Sequence, residues 1–519
     1  MKLLYYIPLL CCTAIGTSSC GDFLDVKPVG KLIPTEVTQF ENLLNNTNTI
    51  NFHMMDNNRE CGFAFWGDNL SISENQAKYN YTSTHPNIDR YAAYIYYEPF
   101  ENPLNSSYTW EWGIYRATGL FNNVIDGIED LGASEDDYAR QVIAQAKAGR
   151  GWSYLIGGLA YGPAYDPNGS NDTRTIPYRT SSLPNSPNPQ LATTAELFSL
   201  LKEDFDYAVQ YAPDYVANPT RANKSAAYAL RAMYWMYMRN WEEMYKDANE
   251  AWKCALATKG SVDKLIYDFN QFYYEPDESA SPRPGEDVEV YLQLKSADGD
   301  TDFDKSYSRE HLFYRISPGG TGIYPSDDYL SIFDTENDMR YKLFLLKQEG
   351  YSTTSGGVVY ADGIKIYNLR GTKMHNNEGI TYPELLLMRA EAQARMGELQ
   401  GALNDLNLLR KYRYSGEDKD LPGGSSMTQD QLLEEILKER RRELPLSSYQ
   451  RVFDIKRYVL DSGKPWCKTT ITHKIGEKTY STTVTKESFR MRIANSYIKY
   501  NPQWGLTEWS GTYDPKSAE

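Results

Sequence analysis

Apolar residues recur at helical spacing through the middle of this chain. Over residues 224–239, Ala227, Leu230, Tyr234 and Tyr237 fall on one face. After Asn240, the series Trp241, Met244, Ala248, Ala251 and Ala255 marks a second helix. Residues 381–396 run in the same way to Gly397, and Leu399, Ala402, Leu403, Leu406 and Leu409 continue as its partner. Each pair has small residues where helices would cross, a tight turn, and a length near the roughly 34 residues of a tetratricopeptide unit. One pair cannot bury its own apolar face, so other helices must stack on it. Residues 112–131 and 138–161 carry matching periodicity, and Gly149, Gly151, Gly157 and Gly158 in the second predict close helix packing. Thr193 with Glu196, and Thr428 with Gln431, have the spacing of capping boxes that open two further helices. The pattern predicts a mainly α fold of tetratricopeptide-like repeats, with the scaffold over about 108–260 and 379–462.

Between the helices the texture changes. Residues 51–107, 261–378 and 463–519 are rich in Gly, Asn, Ser, Asp and Tyr, and long loops on a rigid frame usually carry function. Asp362-Gly363, within residues 358–367, is a hairpin signal, and residues 471–484 alternate like a second hairpin. The first 19 residues read as a leader: Lys2, an apolar stretch over 3–15 too short for the about 20 residues of a membrane span, then small residues. Cys20 follows at once, which predicts a lipoprotein signal, with cleavage before Cys20 and acyl chains on it as the anchor. No low-complexity linker divides residues 20–519, which are expected to form a single domain.

Composition narrows the function. A formal charge of −15 repels nucleic-acid phosphates and offers little to an anionic membrane face. Cys61, Cys254 and Cys467, odd in number and far apart, show neither a disulfide framework nor zinc spacing. The histidines at 53, 85, 311, 375 and 473 are scattered, so no metal or cofactor is expected. With 43 tyrosines and 10 tryptophans, aromatic residues reach 13%; rings with a polar edge suit sugar faces, although most also serve as helix-interface filler.

The order of motifs resembles the SusD/RagB family of nutrient-binding outer-membrane lipoproteins. It is carried by Cys20-Gly-Asp-Phe-Leu-Asp-Val-Lys-Pro28, by residues 146–163 ending Tyr-Gly-Pro, by Glu203-Asp-Phe-Asp-Tyr-Ala208, and by the Pro219 to Arg231 stretch. Tyr324-Pro-Ser, Phe333-Asp334, Asp338-Met-Arg340, Tyr382-Pro-Glu and Glu439-Arg-Arg-Arg-Glu-Leu444 complete it. Pro445-Leu-Ser-Ser-Tyr-Gln-Arg451 departs from the family's Phe-Glu-Gly-like turn. The resemblance implies four tetratricopeptide-like units against an irregular ligand-binding half. It further implies a cell-surface, non-catalytic lid that captures oligosaccharide for a SusC-like TonB-dependent transporter. A peptide-binding import lipoprotein of the same family and a tetratricopeptide adaptor for protein tails are the alternatives.

Trp66, Asp68 and Asn69, with Tyr79 and Tyr81, are the first candidate ligand contacts: an indole face can stack on a pyranose while Asp68 and Asn69 serve its hydroxyls. Tyr314, Arg315 and Tyr324, flanking Pro318-Gly-Gly320, form a second patch. Tyr94, Tyr96 and Tyr97 are weaker contact candidates, because alternating tyrosines also describe a strand or a core helix face, and Trp235, Trp241 and Trp252 sit within core periodicity. Asp327-Asp328 reads as a helix cap rather than a glycosidase pair. Arg451, Asp454 and Arg457 read as an ion-pair ladder on one helix face, worth a few tenths of a kcal/mol per pair, rather than as a catalytic charge cluster.

Overall fold

The computed structural model describes residues 34–56, 60–82, 86–276, 292–318, 324–349, 352–355, 358–361, 364–367 and 376–518. The leader, Cys20, His85, Gly319, Gly320, Asp362-Gly363 and His375 lie outside them.

The frame is a succession of stacked helices: α1 (Thr118–Asp130), α2 (Asp137–Tyr161), α3 (Thr194–Tyr211), α4 (Lys224–Met238), α5 (Trp241–Lys259), α6 (Tyr382–Met396), α7 (Leu399–Arg413), α8 (Gln429–Glu443) and α9 (Gln450–Tyr458). From α1 to α7 each helix packs on the next, so α6 docks on α5 although a long insertion separates them in sequence. Local signals set the helix ends. Both expected capping boxes form, at Thr193–Glu196 and Thr428–Gln431. Arg239 and Gly397, at φ 61° and 87°, terminate α4 and α6 in the left-handed region. The α2 glycines admit neighbours: a Cβ at Gly149 would stand 2.4 Å from Phe121, and one at Gly158 2.4 Å from Leu197.

Two sequence expectations are corrected. The turn before α1 is wound as a π-helix over Thr109–Ala117, not as the start of one α-helix; the Thr118 hydroxyl donates to the Ile114 carbonyl at the junction. The strand Val358–Ala361 pairs with Ser352–Ser355, and Ile364–Tyr367 with Leu346–Glu349. The two strands that flank Asp362-Gly363 therefore pair with earlier strands and not with each other. The second expected hairpin forms from β1 (Thr470–Ile475) and β2 (Lys478–Thr483), with Gly476 in the turn at φ 57°.

One apolar core runs from Met54 to Trp504 and takes in side chains from both the helices and the loop-rich segments. Trp252 is buried in it, while Trp235 and Trp241 are half-buried against it.

Threaded through this core is a set of buried ions. Glu384 and Asp454 flank Arg440; Asp454 and Glu391 flank Arg457; Glu391 and Asp461 flank Arg395; and Asp461 also binds Arg239. The alternating chain thus ties α6, α8 and α9 to the end of α4. Arg340 meets Asp338, Glu439 and Glu443 at 2.7, 2.5 and 2.9 Å, and Glu443 and Glu310 hold Arg413. Burial works against the charge on Glu391, but Arg457 and Arg395 hold its carboxyl well below the usual range. On α9 the expected Asp454–Arg457 pair forms, but Arg451 pairs with Asp68 rather than Asp454, and all three residues are buried.

The half-buried Glu101 has no ion-pair partner among the described residues. Glu101 lines a cavity of about 30 Å³ beside Phe63, Phe100 and Met491, and its carboxylate accepts from the Ser107 hydroxyl. Burial, with Asp89 nearby, pushes its pKa up to about 8.

Arg340→Met should leave Asp338 without its close partner, and Glu439 and Glu443 with only Arg442 and Arg413, and lower unfolding stability by about 3–5 kcal/mol at pH 7, read from urea midpoints. Glu101 stays protonated in the fold up to about pH 8 but ionises near 4.5 once unfolded, so its contribution to stability falls as pH rises through that window. Glu101→Gln removes that slope. Relative to wild type the variant should gain up to about 4 kcal/mol between pH 4.5 and 8, measured by chemical denaturation at several pH values.

Candidate ligand-binding site

Above the end of the frame, the Gly62–Trp66 turn, the segment after the helix Asn87–Tyr94, and the β1–β2 hairpin with its following turn converge on a cavity of about 250 Å³. Trp66 and Phe489 make its base, their ring centroids 5.5 Å apart and tilted by 36°. Trp66 also packs on Phe63 and Phe100 and is only 2% exposed. Tyr96 forms a half-buried wall. The rim is polar: hydroxyls of Thr482, Thr483, Thr485 and Ser488, and the exposed carboxylates of Glu98 and Glu487.

Backbone conformation sets this cavity apart. Five non-glycine residues among those described have φ in the left-handed region, and two of them, Tyr96 at 57° and Phe489 at 55°, line it. Bulky residues there are outliers costing about 1–3 kcal/mol each, and such strain concentrates at ligand sites.

The surroundings hold both residues in place. The His473 ring lies between Tyr94, at 4.2 Å and 8°, and Tyr96, at 4.8 Å and 16°. Its Nδ1 meets the Tyr94 carbonyl and its Nε2 the Gly67 carbonyl, each at 2.7 Å, so this one imidazole couples the wall to the strand of chain carrying Trp66. Burial lowers its pKa, although both carbonyls favour the protonated ring. Behind Phe489, the buried Lys456 ammonium donates to the carbonyls of Leu159 and Gly162 at 2.7 Å and of Phe489 at 3.4 Å. Burial pushes its pKa down to about 7.

Of the residues singled out from the sequence, Trp66 and the weaker candidate Tyr96 line this cavity. Asp68 and Asn69 lie outside its lining and are buried in ion pairs and hydrogen bonds. Asp68 binds Arg451 at 2.8 Å, Lys468 at 2.6 Å and Arg441 at 3.2 Å; Asn69 accepts from Arg441 and donates to the Leu446 carbonyl. Tyr81 is buried against Phe65, and Tyr79 is half-buried beneath the Lys78 ammonium, 4.9 Å from its ring centroid.

The second patch is likewise taken into the interior. Tyr314 stacks on His311, and Arg315, fully buried, lies over Phe313 at 4.0 Å while Nη1 donates to the Thr220 and Tyr314 carbonyls. Tyr324 is buried in an antiparallel pairing opposite Ser71, which does bring it beside the Trp66 segment. Ring identity in the sequence could not separate these core tyrosines from Tyr96. The hydroxyl-rich run Thr482-Thr-Val-Thr485 after a hairpin was the available signal for the rim. Asp327 and Asp328 open the short helix Asp327–Leu330, capped by Ser326, and Asp328 binds Lys468 and Arg441.

Three solved structures share the fold. A SusD superfamily protein from Bacteroides thetaiotaomicron VPI-5482 superposes with a TM-score of 0.63 at 18% identity, over 90% of this chain and 98% of its own. A SusD superfamily protein from Bacteroides fragilis gives 0.57 at 15% identity, over 91% and 99%. A SusD-like carbohydrate binding protein from Bacteroides vulgatus ATCC 8482 gives 0.52 at 16% identity, over 90% and 97%. No curated protein matches the chain significantly. In sequence, residues 340–508 match the SusD family, and residues 22–235 match the family described as starch-binding associating with outer membrane. With helical frame, motif order and both family matches in agreement, the chain belongs to the SusD/RagB family.

Proposed function

We propose that this protein is a non-catalytic glycan-binding lipoprotein of the outer membrane, in which the cavity over Trp66 and Phe489 holds one sugar unit of a longer chain. The observation that carries this reading is the pair of strained aromatic residues, Tyr96 and Phe489, facing one hydroxyl-rimmed cavity. At about 250 Å³ the space is smaller than the roughly 300–1,000 Å³ of sites for drug-sized ligands, which suits a single pyranose. Threonine and serine hydroxyls can donate to or accept from sugar hydroxyls, while the carboxylates of Glu98 and Glu487 accept. The description of the family matched by residues 22–235, and the carbohydrate-binding relative from Bacteroides vulgatus, support the same ligand class.

The expected contacts Asp68, Asn69, Tyr81, Tyr314, Arg315 and Tyr324 then act by supporting the site rather than by touching ligand. Delivery to a SusC-like TonB-dependent transporter belongs to this reading. So does removal of residues 1–19, with lipidation of Cys20 holding residues 20–519 at the cell surface as one unit. Among the described residues no helix is long and apolar enough to cross a membrane, which is compatible with a lipid anchor.

Isothermal titration or affinity electrophoresis against a polysaccharide panel tests the site. Tyr96→Ala and Thr483→Val should each weaken binding, the first at least tenfold, or about 1.4 kcal/mol. Tyr215→Ala, an exposed tyrosine outside the cavity, should leave binding unchanged. If both cavity variants fold and bind like wild type, the site is wrong. Cys20→Ala should abolish incorporation of labelled palmitate and release the protein from the membrane fraction; retention of the label would refute the anchor.

A further inference from the structure

We infer that the cavity selects uncharged or amine-bearing sugars and rejects uronates and sulfated sugars, with Glu98 and Glu487 as the discriminating residues. The inference rests on the glycan-binding reading above and adds the charge class of the ligand. Both carboxylates stand at the exposed rim, and Glu98 has no hydrogen-bond or ion-pair partner among the described residues. Among the described residues no lysine, arginine or histidine lines the cavity.

The nearby cations are already engaged. Arg490 donates from Nη1 to Glu487 and from Nε to the Tyr161 carbonyl. Lys486 is held by Asp166 at 2.9 Å, and Lys468 by Asp68 and Asp328. Arg451 is spent on Asp68, and Lys456 is buried against three carbonyls.

A sugar carboxylate or sulfate seated over Trp66 would therefore meet the Glu98 carboxylate at the rim with no cation among the described lining residues to offset it, in a chain whose formal charge is −15. Neutral hydroxyls meet the opposite situation, because carboxylates accept strong hydrogen bonds from them. A protonated sugar amine would gain further.

The experiment compares matched glycans on the full-length mature protein. Amylopectin, pectic galactan and xyloglucan are each tested beside the same polymer oxidised at C6 to the uronate, together with chitosan oligosaccharide, at 20 and 300 mM NaCl. Expected is at least a tenfold weaker affinity for the oxidised form of whichever polymer binds, with the gap shrinking at high salt. Glu98→Gln combined with Glu487→Gln should reduce that ratio several-fold, with an unchanged thermal melt. Equal or tighter binding of the oxidised polymer, or a ratio that the double variant leaves intact, would overturn the inference while leaving glycan binding in place. Absence of binding to every polymer would instead overturn the glycan-binding reading, and the charge class with it.

Discussion

The constraint on which the rest depends is the pairing of buried charge along α8 and α9. Three consecutive arginines, 440 to 442, leave α8 about 100° apart, so they cannot share one face. Each finds acid on a different side: Arg440 reaches Glu384 and Asp454 in the frame, Arg441 reaches Asp68 and Asp328 in the loop half, and Arg442 turns to Glu439. Burying one such ion unpaired costs several kcal/mol, so the pairing leaves little freedom in how the two halves dock. Sharing each carboxylate between two guanidiniums, as at Asp454 and Glu391, satisfies more of its lone pairs than a simple pair would.

This constraint reaches the candidate site directly. Asp68 is two residues beyond Trp66 and is clamped by Arg451 of α9, Arg441 of α8 and Lys468 before β1. At Gly67 the backbone passes so close to α9 that a Cβ would stand 3.2 Å from Val452. The cavity's base is thus fixed to the frame by charge on one side and by packing on the other. His473 carries the same fixation across to Tyr94 and Tyr96.

Local physics was legible in the sequence and tertiary placement was not. Helix ends are set by caps within four residues, so Thr193, Thr428 and Gly397 could be read directly. Charge pattern reports spacing along one helix, so the Asp454–Arg457 pair of α9 is legible in it, but it says nothing about what covers the helix, and the draw of Arg451 to Asp68 is not. Asp68 and Asn69 looked like sugar contacts for the same reason: the partners that consume them, Arg441 and Arg451, are remote in sequence. Trp66 could be singled out, but its meeting with Phe100 and Phe489 could not. Neither tyrosine nor phenylalanine signals left-handed backbone, so the strain at Tyr96 and Phe489 left no mark in composition or periodicity.

That strain has an energetic counterpart in binding. Hydrogen bonds to sugar hydroxyls exchange for hydrogen bonds to water, so each yields only about 1 kcal/mol net, and a flexible site would lose much of that to ordering. Here the ordering is carried out at folding. Tyr96 is stacked on His473, Phe489 is backed by Trp66 with its carbonyl on Lys456, and the rim follows a hairpin whose register is set by six paired positions. The contacts at Asp68, His473 and Lys456 over-determine the surrounding backbone, which is what lets two unfavourable conformations persist. A weakly interacting, uncharged ligand can then be retained by a surface whose conformational cost was met before it arrived.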